Sequence, residues 1–356
     1  MLPHRVYSRP EQRSLRHWTR CMCGLPKMSM TVTRATLASL VVAFFLAGFS
    51  SLHAQQPVAK LARVGVLLFG TPENDPNLAA FVGGLRELGY AEGRNIAIEY
   101  RSAEGHPDRA RELALQVVAL KPDVIVVLGG DLVPFVKDAT KTIPVVMLTS
   151  NDPVEAGIVS SFARPGGNLT GVAFVSSETA GKRLQFVKEA IPSVSRIAVL
   201  WNPDHPDGEY RDIQVAARQL GVHIQSLEVR RPEDFEAAFQ AATREHAETL
   251  MVVTSRLMNL NRARILAFAG KQGIPLVSGW GHWADAGGFL SYGPDLNVLA
   301  RRAATHVDKI LRGAKPSELA VEQPSVFELV VNLKTARQLG VTIPPALVAR
   351  ADHVIQ

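Results

Sequence analysis

Arg63-Val64-Gly65-Val66-Leu67-Leu68-Phe69-Gly70-Thr71, together with its echo Arg196-Ile197-Ala198-Val199-Leu200-Trp201-Asn202, decides the fold. Each stretch is a short apolar run that stops at small or polar residues, as a strand buried on both faces of a parallel sheet does. After the first, Asp75-Pro76 reads as an N-cap and first-turn proline, and Leu78, Phe81, Val82, Leu85 and Leu88 form a helical stripe closed by Gly89. The run Ile96–Tyr100, a helix from about Pro107 to Leu120, the run Val124–Leu128, a short helix and the run Pro144–Leu148 continue the alternation. That order is the signature of βαβ units. Two further matches keep register with the first: Asp123-Val124-Ile125-Val126-Val127 with Thr249-Leu250-Met251-Val252-Val253, and Ile143-Pro144-Val145-Val146 with Ile274-Pro275-Leu276-Val277. Arg63 to Ile143 spans 80 residues and Arg196 to Ile274 spans 78, so the chain reads as a duplicated α/β unit. Generic α/β composition without common ancestry gives the same two-lobed architecture.

The tail holds a strand after Gly288, a long helix from Leu296 to Leu311 and an extended run Val326–Val331, which predicts that the chain recrosses between lobes. The lobes are expected at 60–170 plus about 293–322, and at 171–292 plus about 323–356. The stretch Arg164 to Val172, the Gly166-Gly167 turn with the strand entering at Asn168, is a hinge candidate, because glycine tolerates the dihedral change that lobe rotation needs. Asn168-Leu169-Thr170 also matches a glycosylation sequon, a reading given little weight behind a bacterial-looking leader.

The 356 residues carry a formal charge of +6, which would suit a nucleic-acid partner if it were spread over the fold. It is not spread. Met1 to Ala54 holds seven basic residues and one acid, and the rest of the chain holds equal numbers of each, which argues against an electrostatic nucleic-acid binder. Within that leader, Arg34 precedes an uncharged apolar run, Ala35–Phe49, shorter than the roughly 20 residues of a membrane span. Residues 1–54 therefore read as a signal peptide cleaved after Ala54, with an over-long extension before Met28 or Met30; an uncleaved anchor is the alternative. Cys21 and Cys23 both lie upstream of the run, so the exported chain would have no cysteine for lipid attachment and would suit an oxidising periplasm.

No phosphate loop, dinucleotide fingerprint, nucleophile elbow or zinc spacing occurs, so no cofactor and no metal is expected, and an enzyme is disfavoured. The seven histidines after Ala54 are scattered singly and read as surface or capping residues. What concentrates is polar and aromatic residues just past the strand ends, where open parallel sheets bind ligands. In the first half these are Gly70 and Thr71; Gly129, Gly130 and Asp131; and Thr149, Ser150, Asn151 and Asp152. In the second they are Trp201 and Asn202, Thr254 and Ser255, and Trp280, with Asp204 and Ser278 beside them. Facing edges would form a cleft with Asp152 and Trp201 on opposite walls. Hydroxyls and backbone N–H groups suit a carboxylate or amide, an aspartate suits an ammonium, and indole faces suit a flat body. Taken singly, Asp152 also reads as a helix cap and either indole as core.

Ala54-Gln55-Gln56-Pro57, Leu88-Gly89-Tyr90 with Glu92-Gly93-Arg94-Asn95, Asn151-Asp152-Pro153-Val154-Glu155-Ala156-Gly157, Arg164 to Val172, and Val331-Asn332-Leu333-Lys334-Thr335-Ala336 together resemble ABC transporter substrate-binding proteins of the tryptophan/tyrosine-uptake type. The resemblance covers essentially the whole chain after the leader. It implies a type I periplasmic-binding fold: two Rossmann-like lobes with parallel sheets, a multi-strand hinge and a solute closed between the lobes. Implied partners are an amino acid or related small molecule and an inner-membrane ABC permease, with a monomeric receptor. The stretches Gly70 to Asn74 and Asn202 to Pro206 differ from those of the family's aromatic-amino-acid binders. A sensory domain of a signalling system and a cleft enzyme are the rival functions; a repressor would need a DNA-binding helix pair where the apolar run stands.

Overall fold

The structure is a computed structural model that describes residues 61–205, 208–253 and 255–356; the leader with its cysteines, and Thr254, lie outside the described residues. The strands are β1 (Ala62–Leu68), β2 (Ile96–Ser102), β3 (Val124–Leu128), β4 (Val145–Thr149), β5 (Leu169–Ala173), β6 (Arg196–Trp201), β7 (His223–Glu228), β8 (Thr249–Val252), β9 (Leu276–Ser278), β10 (Leu290–Gly293), β11 (Glu328–Asn332) and β12 (His353–Ile355). The helices are α1 (Pro76–Glu87), α2 (Ala110–Ala119), α3 (Val133–Ala139), α4 (Ser177–Ala190), α5 (Glu209–Leu220), α6 (Phe235–Arg244), α7 (Arg256–Leu260), α8 (Arg262–Gln272), α9 (Gly281–Asp285), α10 (Leu296–Leu311), α11 (Leu333–Gln338) and α12 (Pro345–Val348).

Two sheets form, with orders β2-β1-β3-β4-β5 and β12-β11-β10-β9-β8-β6-β7, parallel except where β10 meets β11. The fold is therefore α/β with two parallel-sheet lobes, as the alternation implies. The duplicated stretches become equivalent strands: β1 lies between β2 and β3 as β6 lies between β7 and β8, with β4 and β9 next in line. Val124–Leu128 is buried along its whole length, which explains its unbroken β-branched run.

The chain passes between the sheets three times. After β5 it crosses at Phe174–Ser176, where Val175 takes a φ of +31°, a costly value for a β-branched residue. After β10 it returns as α10, which packs on α1 and on β3–β5 of the first sheet. Small residues let these helices approach: a Cβ on Gly84 would stand 3.0 Å from both Ala304 Cβ and Arg301 Cα. The chain then runs beside β5, where Glu322 N–H donates to the Gly171 carbonyl and Ala173 N–H to the Glu322 carbonyl, before crossing back to β11. Strand β5 straddles the lobe boundary expected at 170 and pairs with β4 along its whole length.

The Gly166-Gly167 turn is not at a crossover. It joins β4 to β5 within one sheet and is pinned by Ser160 N–H donating to the Pro165 carbonyl, so the hinge reading of these glycines is corrected to Phe174–Ser176 and the two later crossings. The first crossing is held by a buried ion pair. Arg183 Nη1 meets Glu209 Oε1 at 2.5 Å, and Nη2 reaches the Ser176 carbonyl and Thr179 Oγ1, fixing the entry to α4.

Among the described residues no helix is long and apolar enough to cross a membrane. Gly171 has φ +136°, and a Cβ there would stand 2.1 Å from the Met147 carbonyl oxygen. Gly171→Ala is expected to cost about 3 kcal/mol or more in chemical denaturation, from strain and overpacking together; a loss below 1 kcal/mol would contradict the close β4–β5 approach.

Candidate functional site

Because both sheets are buried by helices, their polar groups collect at the carboxyl ends of the strands, and the two sets face one another. The first sheet brings Gly129 and Gly130 after β3, Ser150 after β4 and Phe174 after β5 to a shared cavity. The second brings His205 after β6, Ser255 and Arg256 after β8, and Trp280 after β9. Asn77 joins them from the first turn of α1. The enclosed space is about 20 Å³, room for about one water molecule.

Two side chains of the second lobe reach across. Arg256 Nη1 lies 3.2 Å from Asp75 Oδ2, with both side chains nearly buried. The other Asp75 oxygen caps α1, accepting from the N–H groups of Asn77 at 2.9 Å and Leu78 at 3.2 Å. With the Asn77 amide oriented to satisfy both its atoms, its Oδ1 accepts from Arg256 Nη1 at 3.0 Å and Nη2 at 2.9 Å. His205 is the second bridge: Nδ1 lies 2.5 Å from Asp131 Oδ1, and Nε2 lies 3.1 Å from Ser150 Oγ. Ser150 Oγ also lies 3.4 Å from Asn151 Oδ1, so the serine joins the imidazole to the loop after β4.

The expected site residues divide. Gly129, Gly130, Ser150, Ser255 and Trp280 line the cavity. Asp131 stands outside the lining and contacts His205, which is in it. Thr149 Oγ1 accepts from Asn151 N–H at 3.1 Å, and Asn202 Oδ1 accepts from Asp204 N–H at 2.9 Å, so these residues shape the loops behind the wall. Gly70 allows close approach of the lobes, since a Cβ there would stand 3.0 Å from Leu260 Cδ2. Thr71 precedes a single 3-10 turn and stands outside the lining.

Asp152 and Trp201 do not share the cavity. Asp152 Oδ1 accepts from Val154 N–H at 2.7 Å and Glu155 N–H at 3.1 Å, closing its own turn. Trp201 follows strand parity: with Ile197 and Val199 it belongs to the outer face of β6, while Ala198 and Leu200 hold the inner face. Its ring stacks on Tyr210 at 4.0 Å and its Nε1 donates to Ser226 Oγ at 2.8 Å. His205, read as surface or capping, lines the cavity instead, and Arg256 and Asn77 were missed. Their signals were present: Arg256 follows a strand-end serine that caps its helix, and Asn77 follows the α1 N-cap.

Three comparisons bear on this geometry. A family model described as "ABC transporter substrate binding protein" matches residues 66–355. A curated tyrosine-binding protein of Clostridioides difficile is 24% identical over 270 residues, covering 75% of this chain and 77% of that protein. A crystal structure of a conserved domain protein from Vibrio cholerae superposes with a TM-score of 0.78 at 29% identity, covering 83% of this chain and 100% of that one. An ABC domain from Streptococcus pneumonia in complex with L-Trp gives 0.76 at 25% identity, covering 83% and 99%.

Beside the cavity, His282 Nε2 pairs with Asn259 Oδ1 at 2.8 Å. Burial, reinforced by the nearby charges of Arg262 and Arg256, pushes its pKa down to about 4. The folded ring is thus neutral where the unfolded one takes up a proton, so stability is present above the unfolded value near 6.5 and is lost as pH falls towards the folded value. Moving from pH 7 to pH 5 is expected to remove about 2 kcal/mol through this residue. In His282→Asn, denaturation at the two pH values should differ by correspondingly less; an unchanged difference would contradict the assignment.

Proposed function

The chain belongs to the ABC transporter substrate-binding protein family, and from that membership we propose that it is an exported, periplasmic solute receptor. On this reading it holds a small organic solute, an amino acid or related compound, between two lobes and presents it to an inner-membrane ABC permease, as a monomer and without covalent chemistry. The lobes are taken as residues 61–173 with α10 and the segment at Glu322 that runs beside β5, and the second sheet with its helices. One observation carries the reading: the cavity lies between the carboxyl edges of the two sheets, and each lobe supplies charged or polar groups that meet across it. The tyrosine-binding relative and the L-Trp complex support an amino acid or a compound of similar size. Since the cavity has room for about one water molecule, a solute of amino-acid size requires the lobes to stand further apart than they do here, both to enter and to stay bound.

The order Ser150, His205, Asp131 favours a second reading, because a hydroxyl, an imidazole and a carboxylate hydrogen-bonded in series can activate a nucleophile. The small cavity weighs against it, since an acyl group has no place beside Ser150 when the three are aligned. A fluorophosphonate that labels Ser150 in the intact protein, but not in His205→Gln, would favour the hydrolase; an unlabelled Ser150 leaves the receptor.

The receptor reading is tested by a thermal-shift screen across amino acids, organic acids, purines and sugars. A true solute at 100 times its Kd should add about 2.7 kcal/mol of stability. His205→Gln is expected to weaken that solute about tenfold, through faster dissociation rather than slower association, because the histidine bridges only the closed form. An unchanged dissociation rate would contradict the bridge.

A further inference from the structure

We infer that the cavity selects a small carboxylate without an adjacent ammonium, a 2-hydroxy acid or similar organic acid, over the corresponding amino acid. This rests on the receptor reading above and narrows the class of solute. Among the described residues, the lining holds one guanidinium and one imidazole and no carboxylate. Two acids outside the lining contact lining side chains, each through at least one oxygen. Asp75 divides its oxygens between the α1 N–H groups and Arg256, and Asp131 Oδ1 is held by His205. A solute ammonium would therefore lie beside Arg256 with no lining carboxylate to pair with, and an unpaired buried charge is costly.

A donor, by contrast, is left over. Trp280, only 4% exposed and part of the lining, has an indole Nε1 with no hydrogen-bond partner. Buried donors without partners carry a desolvation penalty that an acceptor-rich solute removes. Arg256 adds a planar fork suited to a carboxylate, and the neutral Asn77 amide on it is a weaker partner than a carboxylate would be. The Trp280 indole N–H and the guanidinium thus call for oxygen acceptors, while nothing in the described lining calls for a cation.

The test uses isosteric pairs that differ only in ammonium against hydroxyl: tryptophan and indole-3-lactate, tyrosine and 4-hydroxyphenyllactate, alanine and lactate. Each is titrated calorimetrically into the leader-free protein at neutral pH, with uncharged sugars alongside. In the pair that fits, the hydroxy acid should bind at least tenfold more tightly than its amino acid. Trp280→Phe, which keeps an aromatic ring and removes Nε1, should weaken the acid several-fold, and Arg256→Gln should bring the acid-to-amino-acid ratio close to one. Equal or tighter binding of the amino acid, or an acid affinity indifferent to both substitutions, overturns the inference. Binding of uncharged solutes alone overturns the ligand class and keeps the receptor; silence from every solute in both screens removes the receptor reading with it.

Discussion

Arg256 lies under the first turn of α1, and the geometry of the cavity depends on that contact. Its guanidinium leaves one lobe to meet Asp75 and Asn77 of the other, in a place where water is nearly excluded. Burying both charges carries a desolvation cost of several kcal/mol per ion, offset only while the pair and its hydrogen bonds remain intact. The contact therefore contributes little net stability and strong geometric selection, because opening the lobes returns both charges to water. Asp75 does two things at once: one oxygen ends the orphan N–H groups of α1 and the other receives the guanidinium, so the helix end is fixed before the second lobe arrives.

His205 adds a second bridge of different chemistry. Its ring spans from Asp131 to Ser150, tying the loops after β3 and β4 of the first sheet to the loop after β6 of the second. Between the two bridges lies the cavity, and Trp280, with Leu148 and Phe174, gives it an apolar wall. Closure is permitted because three separate strands of chain, rather than a rigid interface alone, connect the sheets; the first carries the positive φ of Val175 and is anchored at its far end by Arg183 and Glu209. An element held in an unfavourable backbone conformation by its surroundings is suited to a small change in the balance between two arrangements.

The sheet topology was legible because burial on both faces imposes long β-branched runs, and because the duplicated stretch placed β1 and β6 at equivalent positions. The cavity-lining glycines, Ser150, Ser255 and Trp280 followed from the rule that ligands sit at strand carboxyl ends. That rule does not say which way a side chain points. Trp201 is one residue too far along β6 to face inward, and Asp152 had N–H groups of its own turn closer at hand than any solute. Gly166 and Gly167 marked a turn, but a turn between neighbouring strands and a crossing between sheets share the same local chemistry. His205 and Arg256 could not be ranked from sequence, since their partners stand 74 and 181 residues away.

The central claim is that the two lobes exchange between an open form and the closed form held by Arg256 and His205. Because the chain has no cysteine after Cys23, single labels can be placed without removing native thiols. Leu115 on α2 and Val215 on α5 are both exposed and lie on helices of different sheets. Leu115→Cys and Val215→Cys, combined and spin-labelled in the leader-free protein, allow the distance distribution between them to be measured by pulsed electron resonance with and without a solute that raises the melting temperature. Two populations are expected in free protein, one of them matching the arrangement described here, and solute should gather the signal into a single population. A single distance that no solute alters would contradict it.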